Sequence, residues 1–535
     1  MNTEHSYFDA DITDVFRRQL VFASVQANSA LVLLVVIGIL SLAVVRYFTS
    51  PWRKLPPGPQ GLPIIGNALQ LADTHKQWLR FSAWREEQYG DIFSLNAAGQ
   101  PVVVLSSPKV ASELLDYRAS IYSDRPRWIV ASDILTRGLF LPFMPWNDAW
   151  HRMRKAAHES LYPVQKLHEY QATEALLLAR SALQNPVLWD KYIRRSAASM
   201  TLSCVYDQPV VSEQDARISF INAFAARMTT AAAPGAHWVE IFPWMRYLPS
   251  RIAPWKAKAE RQYKEDSNTF NAVFQCVREK VMSGVEGPSM SATLLHETDR
   301  HGLSEHESSW LAASLYAAAT DPVFSVMLFW SLAMLMYPDT QRRAQEELDA
   351  VVGRARVPTF ADMPHLPYIR AMVKESIRWA PVIPLAVPHR SIQNDYYEGY
   401  FLPKGTIVIA NTWEMNHDPA IYGPDVDDFN PARHLDDQGE LLPGPIGSKE
   451  EGHFAFGFGR RACVGKAVAN NSLFIDIATC LWAFSLVNPD GQALDVGASD
   501  DDGLTIRPKA FDVHIQPRFH EAVALLSHEC ELRGR

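Results

Sequence analysis

From Trp310 to Tyr337 the chain carries one charged residue, Asp321, and Pro322 follows it at once. So long an apolar run demands burial, and its ends read as helix signals. "SEHE" (Ser304–Glu307) offers a capping box, with Ser304 as N-cap and Glu307 three positions on. Pro338 supplies the stop. A helix of about 32 residues spans roughly 48 Å, enough to cross a whole domain. The rival reading is a transmembrane helix, for which about 20 apolar residues suffice. A carboxylate and a proline at the centre weigh against it, because an intramembrane charge is expensive. In a soluble core the same pair also costs stability, so the position needs a functional reason.

The 535 residues are 47% hydrophobic and 21% charged, a globular composition with a large core. A net charge of −8 gives no support to a nucleic-acid partner. Cys204, Cys276, Cys463, Cys480 and Cys530 are odd in number and scattered, with no CxxC pair. That pattern fits a reducing compartment rather than a disulfide framework. Gln19 to Val45 contains no charge, and "ALVLLVVIGILSLAVV" (Ala30–Val45) can span a bilayer. Arg46, Arg53 and Lys54 follow it, so the C-terminal side is expected to be cytoplasmic. A cleaved signal peptide is the alternative, but the stretch is long, lies far from Met1 and lacks a small-residue cleavage site.

Three segments are expected: residues 1–50 with an anchor helix at about 27–45, a Pro/Gly-rich hinge at 51–67, and a catalytic body at 68–535. "KLPPGPQGLPIIGN" (Lys54–Asn67) forbids a helix and favours an extended arm. "YGDIFSLNAAGQPVVVLSS" reads as a β-hairpin. Helical periodicity dominates from about Pro108 to Leu335, and strands return near "YYEGYFLPKGTIVIANT" (Tyr396–Thr412). Strands and helices do not alternate regularly, so the body is mostly α with small β-sheets rather than a doubly wound parallel sheet.

"FGFGRRACVG" (Phe456–Gly465) concentrates the chemistry. Its glycines let the backbone approach a bulky partner closely. Arg460 and Arg461 are expected to favour a thiolate at Cys463. The helix-like segment that follows would add its N-terminal dipole. A loop that holds a thiolate against a flat partner suits a haem-thiolate site; the plainer alternative is a buried, inert cysteine.

This segment resembles the haem-binding loop of the cytochrome P450 family, FxxGxRxCxG, with Phe456, Gly459, Arg461, Cys463 and Gly465 at every fixed position. Further motifs follow the family's order. "ESIR" supplies Glu375 and Arg378, "FNPARHL" supplies Arg433, and "WHRMR" supplies Trp150 and Arg154. The likeness runs from about Leu55 to Phe519, with several segments most similar to fungal microsomal members. It implies the P450 fold behind one N-terminal transmembrane helix, and haem b with its iron bound by Cys463. It implies propionate contacts from Trp150, Arg154, Arg461 and His389, with Phe456 beside the haem. It also implies a buried structural triad of Glu375, Arg378 and Arg433.

The resemblance places Ala318–Pro322 in the central helix above the haem, where the family carries a small residue, Gly, any residue, an acid and a hydroxyl. Ala319 replaces the glycine and Pro322 the hydroxyl. In the family that hydroxyl helps hold a water for proton delivery. Pro322 is expected to open the helix locally and free the Ala318 carbonyl. Thr320 lies roughly 200° around the axis and is a poor substitute. Asp321 is the candidate catalytic residue, expected to be hydrogen-bonded or water-linked.

Three functions follow from these readings. One is a monooxygenase inserting oxygen from O2 into a lipophilic molecule, such as a terpenoid or other secondary metabolite. Another is a rearrangement, dehydration or peroxide-driven reaction, because the hydroxyl is absent. The last is haem binding without turnover. NADPH would act only through a separate NADPH–cytochrome P450 reductase. Arg152, Lys155, Arg460 and Lys466 are candidates for its docking patch, or for scattered solvated charge. The enzyme would sit in the endoplasmic reticulum membrane as a single-pass protein facing the cytosol. Phe242, Trp244 and Trp255 are placed to dip into the membrane or to pack under a loop; Tyr316 and Val382–Val387 would line the pocket.

Overall fold

A computed structural model describes residues 51–535 except 213, 502 and 503, and not the side chains of residues 51, 52 and 490. Upstream it describes only Leu34, Val35, Ile37, Gly38, Ser41 and Val45, which are helical and exposed; the rest of the expected anchor at 27–45 lies outside the described residues.

The longer helices are α1 (Asp148–Leu161), α2 (His168–Gln184), α3 (Trp189–Tyr206), α4 (Ala216–Ala232), α5 (Pro254–Ser283), α6 (Glu305–Met336), α7 (Pro338–Val351), α8 (Pro367–Trp379), α9 (Lys466–Ala483) and α10 (Ala522–Leu532). The strands are β1 (Ile92–Ala97), β2 (Gln100–Leu105), β3 (His389–Arg390), β4 (Asp395–Tyr397), β5 (Tyr400–Leu402), β6 (Ile407–Ala410), β7 (Phe484–Val487), β8 (Ser499–Asp501), β9 (Ile506–Pro508) and β10 (His514–Pro517). Two compact units result among the described residues: Asp395–Leu402 with those up to Leu55, and Pro56–Asn394 with Pro403–Arg535. In the first, β4 and β5 form an antiparallel hairpin.

In the larger unit β1-β2-β6-β3 make a four-stranded sheet, parallel only between β2 and β6. The β1–β2 turn places Ala98 and Gly99 at φ +49° and +93°, the left-handed pair that matches strand twist in a two-residue hairpin. The stretch from Pro56 lies along β1. Ser94 donates from its N–H to Pro57 O at 2.8 Å and from its hydroxyl to Pro56 O at 2.6 Å. A Cβ at Gly58 would come within 1.8 Å of Ser94 O, so glycine is required there.

Helix α6 forms over the expected 32 residues. Ser304 Oγ accepts from Glu307 N–H at 3.2 Å, and Glu307 Oε2 accepts from Ser304 N–H at 2.8 Å. Pro338 begins α7 instead of extending α6. α6 is the one helix among the described residues long and apolar enough to cross a membrane, yet 78% of its most apolar window is buried in protein. It is a core helix. Its large side chains are satisfied as well as buried: Trp310 Nε1 donates to Ser267 Oγ at 3.2 Å, and Trp330 Nε1 meets Met372 Sδ at 3.3 Å. Contrary to the expected local opening, the helix stays continuous through Pro322. Burial on both flanks holds the turn although one N–H is lost.

Beneath α6, Glu375 and Arg378 on α8 are fully buried. Arg378 donates to both Glu375 oxygens, from Nε at 2.7 Å and Nη2 at 2.8 Å. Arg433 Nε donates to Oε1 at 3.0 Å, completing the expected triad. His434 Nε2 joins at 2.9 Å from Oε2, and Asn430 N–H at 2.9 Å from Oε1. Neither addition follows from motif reading, since "FNPARHL" points only to its arginine. Burial alone would raise the Glu375 pKa. The hydrogen bonds and charge of Arg378, then of His434, hold it well below the usual carboxylate range.

Candidate active site

The cysteine loop closes by a hydrogen bond from Cys463 N–H to Phe456 O at 2.9 Å. Gly459 has φ +61°, and a Cβ there would lie 2.1 Å from Leu115 O. Gly459 N–H donates to Asp116 Oδ1 at 2.5 Å, which ties the loop to the helical turn Ser112–Tyr117. The Phe456 ring is half-buried and packs 5.0 Å from the His453 ring. Cys463 lies deep in the protein yet keeps accessible surface, as a residue lining an internal cleft does. Burial raises its thiol pKa; a hydrogen bond from Gly465 N–H and the charge of Arg154 act against that. The expectation that Arg461 stands beside the sulfur is corrected. The turn at Gly459–Arg461 sends that guanidinium to the carbonyls of Ser123 (Nε, 2.8 Å) and Met144 (Nη2, 2.9 Å). Arg460 packs 5.3 Å over the Trp146 ring.

Opposite properties meet on α6. Most of the helix is buried, but Ala318 is exposed and Ala319, Asp321 and Pro322 are partly so. Accessible surface in mid-core marks a cavity wall. Thr320 is only 3% exposed, and its hydroxyl donates to Tyr316 O at 3.0 Å. Asp321 is partnered as expected: Thr505 Oγ1 donates to Oδ2 at 2.8 Å, and Arg507 Nη1 lies 3.8 Å from Oδ1.

A buried cationic group gathers nearby. Arg461 lies 4.1 Å over the Trp150 ring. Its Nη1 is buried without a partner. Burial, then repulsion from Arg125, lowers its pKa to about 8. Arg154 Nη2 donates to Ala462 O. Arg125, absent from the motif reading, is 6% exposed. It donates to the carbonyls of Pro142 (2.9 Å), Val387 (2.6 Å) and Pro388 (2.8 Å). Burial, then Arg154, lowers its pKa to about 9. Among the described residues these three guanidiniums hydrogen-bond only main-chain carbonyls. His389 gives Nδ1 to Tyr122 O at 2.8 Å, so only Nε2 remains, and it donates only as imidazolium. Burial, then Arg125, holds the ring neutral. Buried cations with an orphaned N–H fit a group that brings its own carboxylates. Arg125 could have been noticed in "DRPRW" only as one arginine among several; its burial against main-chain carbonyls is a tertiary property.

The chain belongs to the cytochrome P450 family. The Cytochrome P450 family model matches residues 56–515. A cytochrome P450 monooxygenase of Armillaria gallica is 54% identical over 509 residues, covering 94% of this chain and 97% of the relative. A second from Armillaria gallica is 50% identical over 515 residues, covering 95% and 99%. Cytochrome P450 monooxygenase 58 of Postia placenta is 42% identical over 513 residues, covering 94% and 96%. This P450 is therefore a monooxygenase of a fungal group, and the family's cofactor is haem held by a cysteine thiolate.

The remaining expectations divide. Phe242 and Trp244 are 46% and 63% exposed, alongside Trp238 and Tyr247 at 69% and 75%. Trp255 instead packs against the core. Tyr316 is buried and its hydroxyl donates to Arg217 O at 3.3 Å. Ile383, Leu385, Ala386 and Val387 keep accessible surface, whereas Val382 and Pro384 are buried. In the basic patch, Arg152 pairs with Glu307 at 3.0 Å, Lys155 with Glu159 at 4.0 Å and Lys466 with Glu451 at 2.7 Å. Its charge is thus largely compensated. A cleft of about 880 Å3, lined by Arg127, Asp133, Arg246 and Arg390 among others, shares Arg125 with the site but not Cys463 or α6. Its charged lining does not suit a lipophilic substrate.

Proposed function

We propose that this P450 inserts one oxygen atom from O2 into a lipophilic small molecule of fungal secondary metabolism, such as a terpenoid. Cys463 ligates the haem iron. Trp150, Arg125, Arg154 and Arg461 hold the propionates, with His389 joining as imidazolium once a carboxylate offsets the neighbouring arginines. The carrying observation is the accessible Cys463 in its glycine-shaped loop, set among buried and half-buried arginines that hydrogen-bond no carboxylate among the described residues. When bound, the haem supplies oxygen activation, and its thiolate ligand favours O–O cleavage. The chain's part is to bind, shield and deliver protons. Ala318 and Ala319 leave room above the haem, Ile383, Leu385 and Val387 present an apolar wall, and Asp321 handles protons at its carboxylate.

Electrons come from NADPH through a separate cytochrome P450 reductase. Residues 1–50 anchor the enzyme in the endoplasmic reticulum membrane through a helix at about 27–45, 51–67 form the hinge, and 68–535 form the cytosolic catalytic domain. The exposed aromatic rings at Trp238, Phe242, Trp244 and Tyr247 support membrane proximity. The test is to supply the full-length protein and a fungal reductase with labelled dioxygen and candidate terpenoids. Label in the product is expected; product without label refutes the reading.

The missing hydroxyl at Pro322 favours a second reading, in which the site performs a rearrangement, dehydration or peroxide-driven reaction. Turnover without reductant or dioxygen would establish it. Under the first reading, Pro322→Thr matches or improves the coupling of electron use to product. Haem binding without turnover is excluded by any product.

A further inference from the structure

We propose that Thr505, on the segment entering β9, is the alcohol partner of Asp321, taking the place of the hydroxyl absent from α6. The inference rests on the monooxygenase reading and names the positioning residue that serves it. At the positions flanking Asp321 no hydroxyl is free for the task, and the unpartnered Ser325 hydroxyl one turn further on is buried. Pro322 has none, and the Thr320 hydroxyl is buried and spent on Tyr316 O at 3.0 Å. Across the gap, Thr505 Oγ1 donates to Asp321 Oδ2 at 2.8 Å.

The surroundings suit a relay. The Asp321 side chain is 24% exposed and that of Arg507 31%, with 3.8 Å between Nη1 and Oδ1. The carboxylate therefore keeps accessible surface while a cation holds it in place. Arg194 adds a second positive charge that senses both Asp321 and Arg507, its guanidinium 4.0 Å over the Phe324 ring. On the other side, Ile506 N–H donates to Val382 O at 2.9 Å. That bond pins the strand after Thr505 to the start of the segment that presents the apolar wall. Thr505 thus joins a partly accessible carboxylate to the pocket edge.

The proton balance closes. Asp321 takes a proton from water and donates it to Thr505 Oγ1 as the hydroxyl's own proton passes to a water on the pocket side. One proton enters, one leaves, and no redox partner is needed. A hydroxyl can donate and accept at once. A pure clamp between α6 and β9 would use the same hydrogen bond, so the test must separate the two.

The full-length protein is reduced by NADPH and a fungal P450 reductase in air. Peroxide released per NADPH oxidised is measured with and without substrate, and the carbon-monoxide difference spectrum monitors the haem pocket. Thr505→Val is expected to raise the peroxide fraction several-fold with an intact spectrum, whereas Thr505→Ser stays at the wild-type value. A Thr505→Val protein with intact spectrum and wild-type peroxide fraction overturns the proposal. If valine disturbs the spectrum, Thr505→Ala replaces it. A serine variant as uncoupled as the hydroxyl-free ones also overturns the proposal. Because peroxide release is read without product, failure of the wild type to incorporate labelled oxygen counts against the monooxygenase reading separately.

Discussion

Replacing Glu375 by glutamine removes one charge and turns an acceptor into a donor at the point where five donors converge. Arg378 has no exposed surface, so its guanidinium cannot recover its partner from water. Stranding one member of a buried pair costs about 3–5 kcal/mol. Whole-protein stability is typically about 5–15 kcal/mol, so the loss is a large fraction of the total. With roughly 2.1 cal/mol/K of unfolding entropy per residue, about 480 ordered residues give about 1 kcal/mol per degree. Glu375→Gln should therefore lower the thermal midpoint by about 3–5 °C at neutral pH. Differential scanning calorimetry at fixed scan rate measures it. The pH dependence supplies the sign. The folded pKa of Glu375 lies below its ordinary 4.5, so its stabilisation is complete above that value and lost as pH falls beneath it. Wild type and variant should converge in acid. The double variant Glu375→Gln/Arg378→Met, with both charges gone, should recover part of the loss. An unchanged midpoint for the single variant, or a double variant whose losses simply add, would refute the assignment of this pair as a coupled lock.

Gly459→Ala should lower the folded, haem-loaded yield, because its Cβ meets Leu115 O at 2.1 Å with φ at +61°; the haem-to-protein absorbance ratio reports it. Arg125→Leu should weaken haem retention about 10–150-fold, the worth of one charge-assisted hydrogen bond of about 1.5–3 kcal/mol, when haem transfer to an acceptor protein is followed. Arg127→Leu, at an exposed residue 3.8 Å from Asp133, should leave it unchanged. Thr320→Val should shift peroxide release little, since that hydroxyl already bonds Tyr316 O.

Local patterns reached far in this chain. The capping box at Ser304 and Glu307, the stop at Pro338 and the hairpin around Ala98–Gly99 are set by neighbouring residues, so each was legible without a fold. Glu375 and Arg378 sit three apart on one helix, and their contact follows from helical spacing alone. The direction of Arg461 did not follow. Adjacency to Cys463 implied proximity to the sulfur, but the turn between them separates the two side chains.

Sequence alone determined the elements with short-range causes: the core helix with Asp321 and Pro322 at its centre, the glycine-shaped cysteine loop and the mostly helical class. Only the tertiary structure decided which distant groups meet. It brought Thr505 to Asp321 across 184 positions. It buried Arg125 against main-chain carbonyls and spent the Thr320 hydroxyl on its own helix. Hydrogen-bond partnership between remote side chains depends on how elements pack, and no local spacing encodes it.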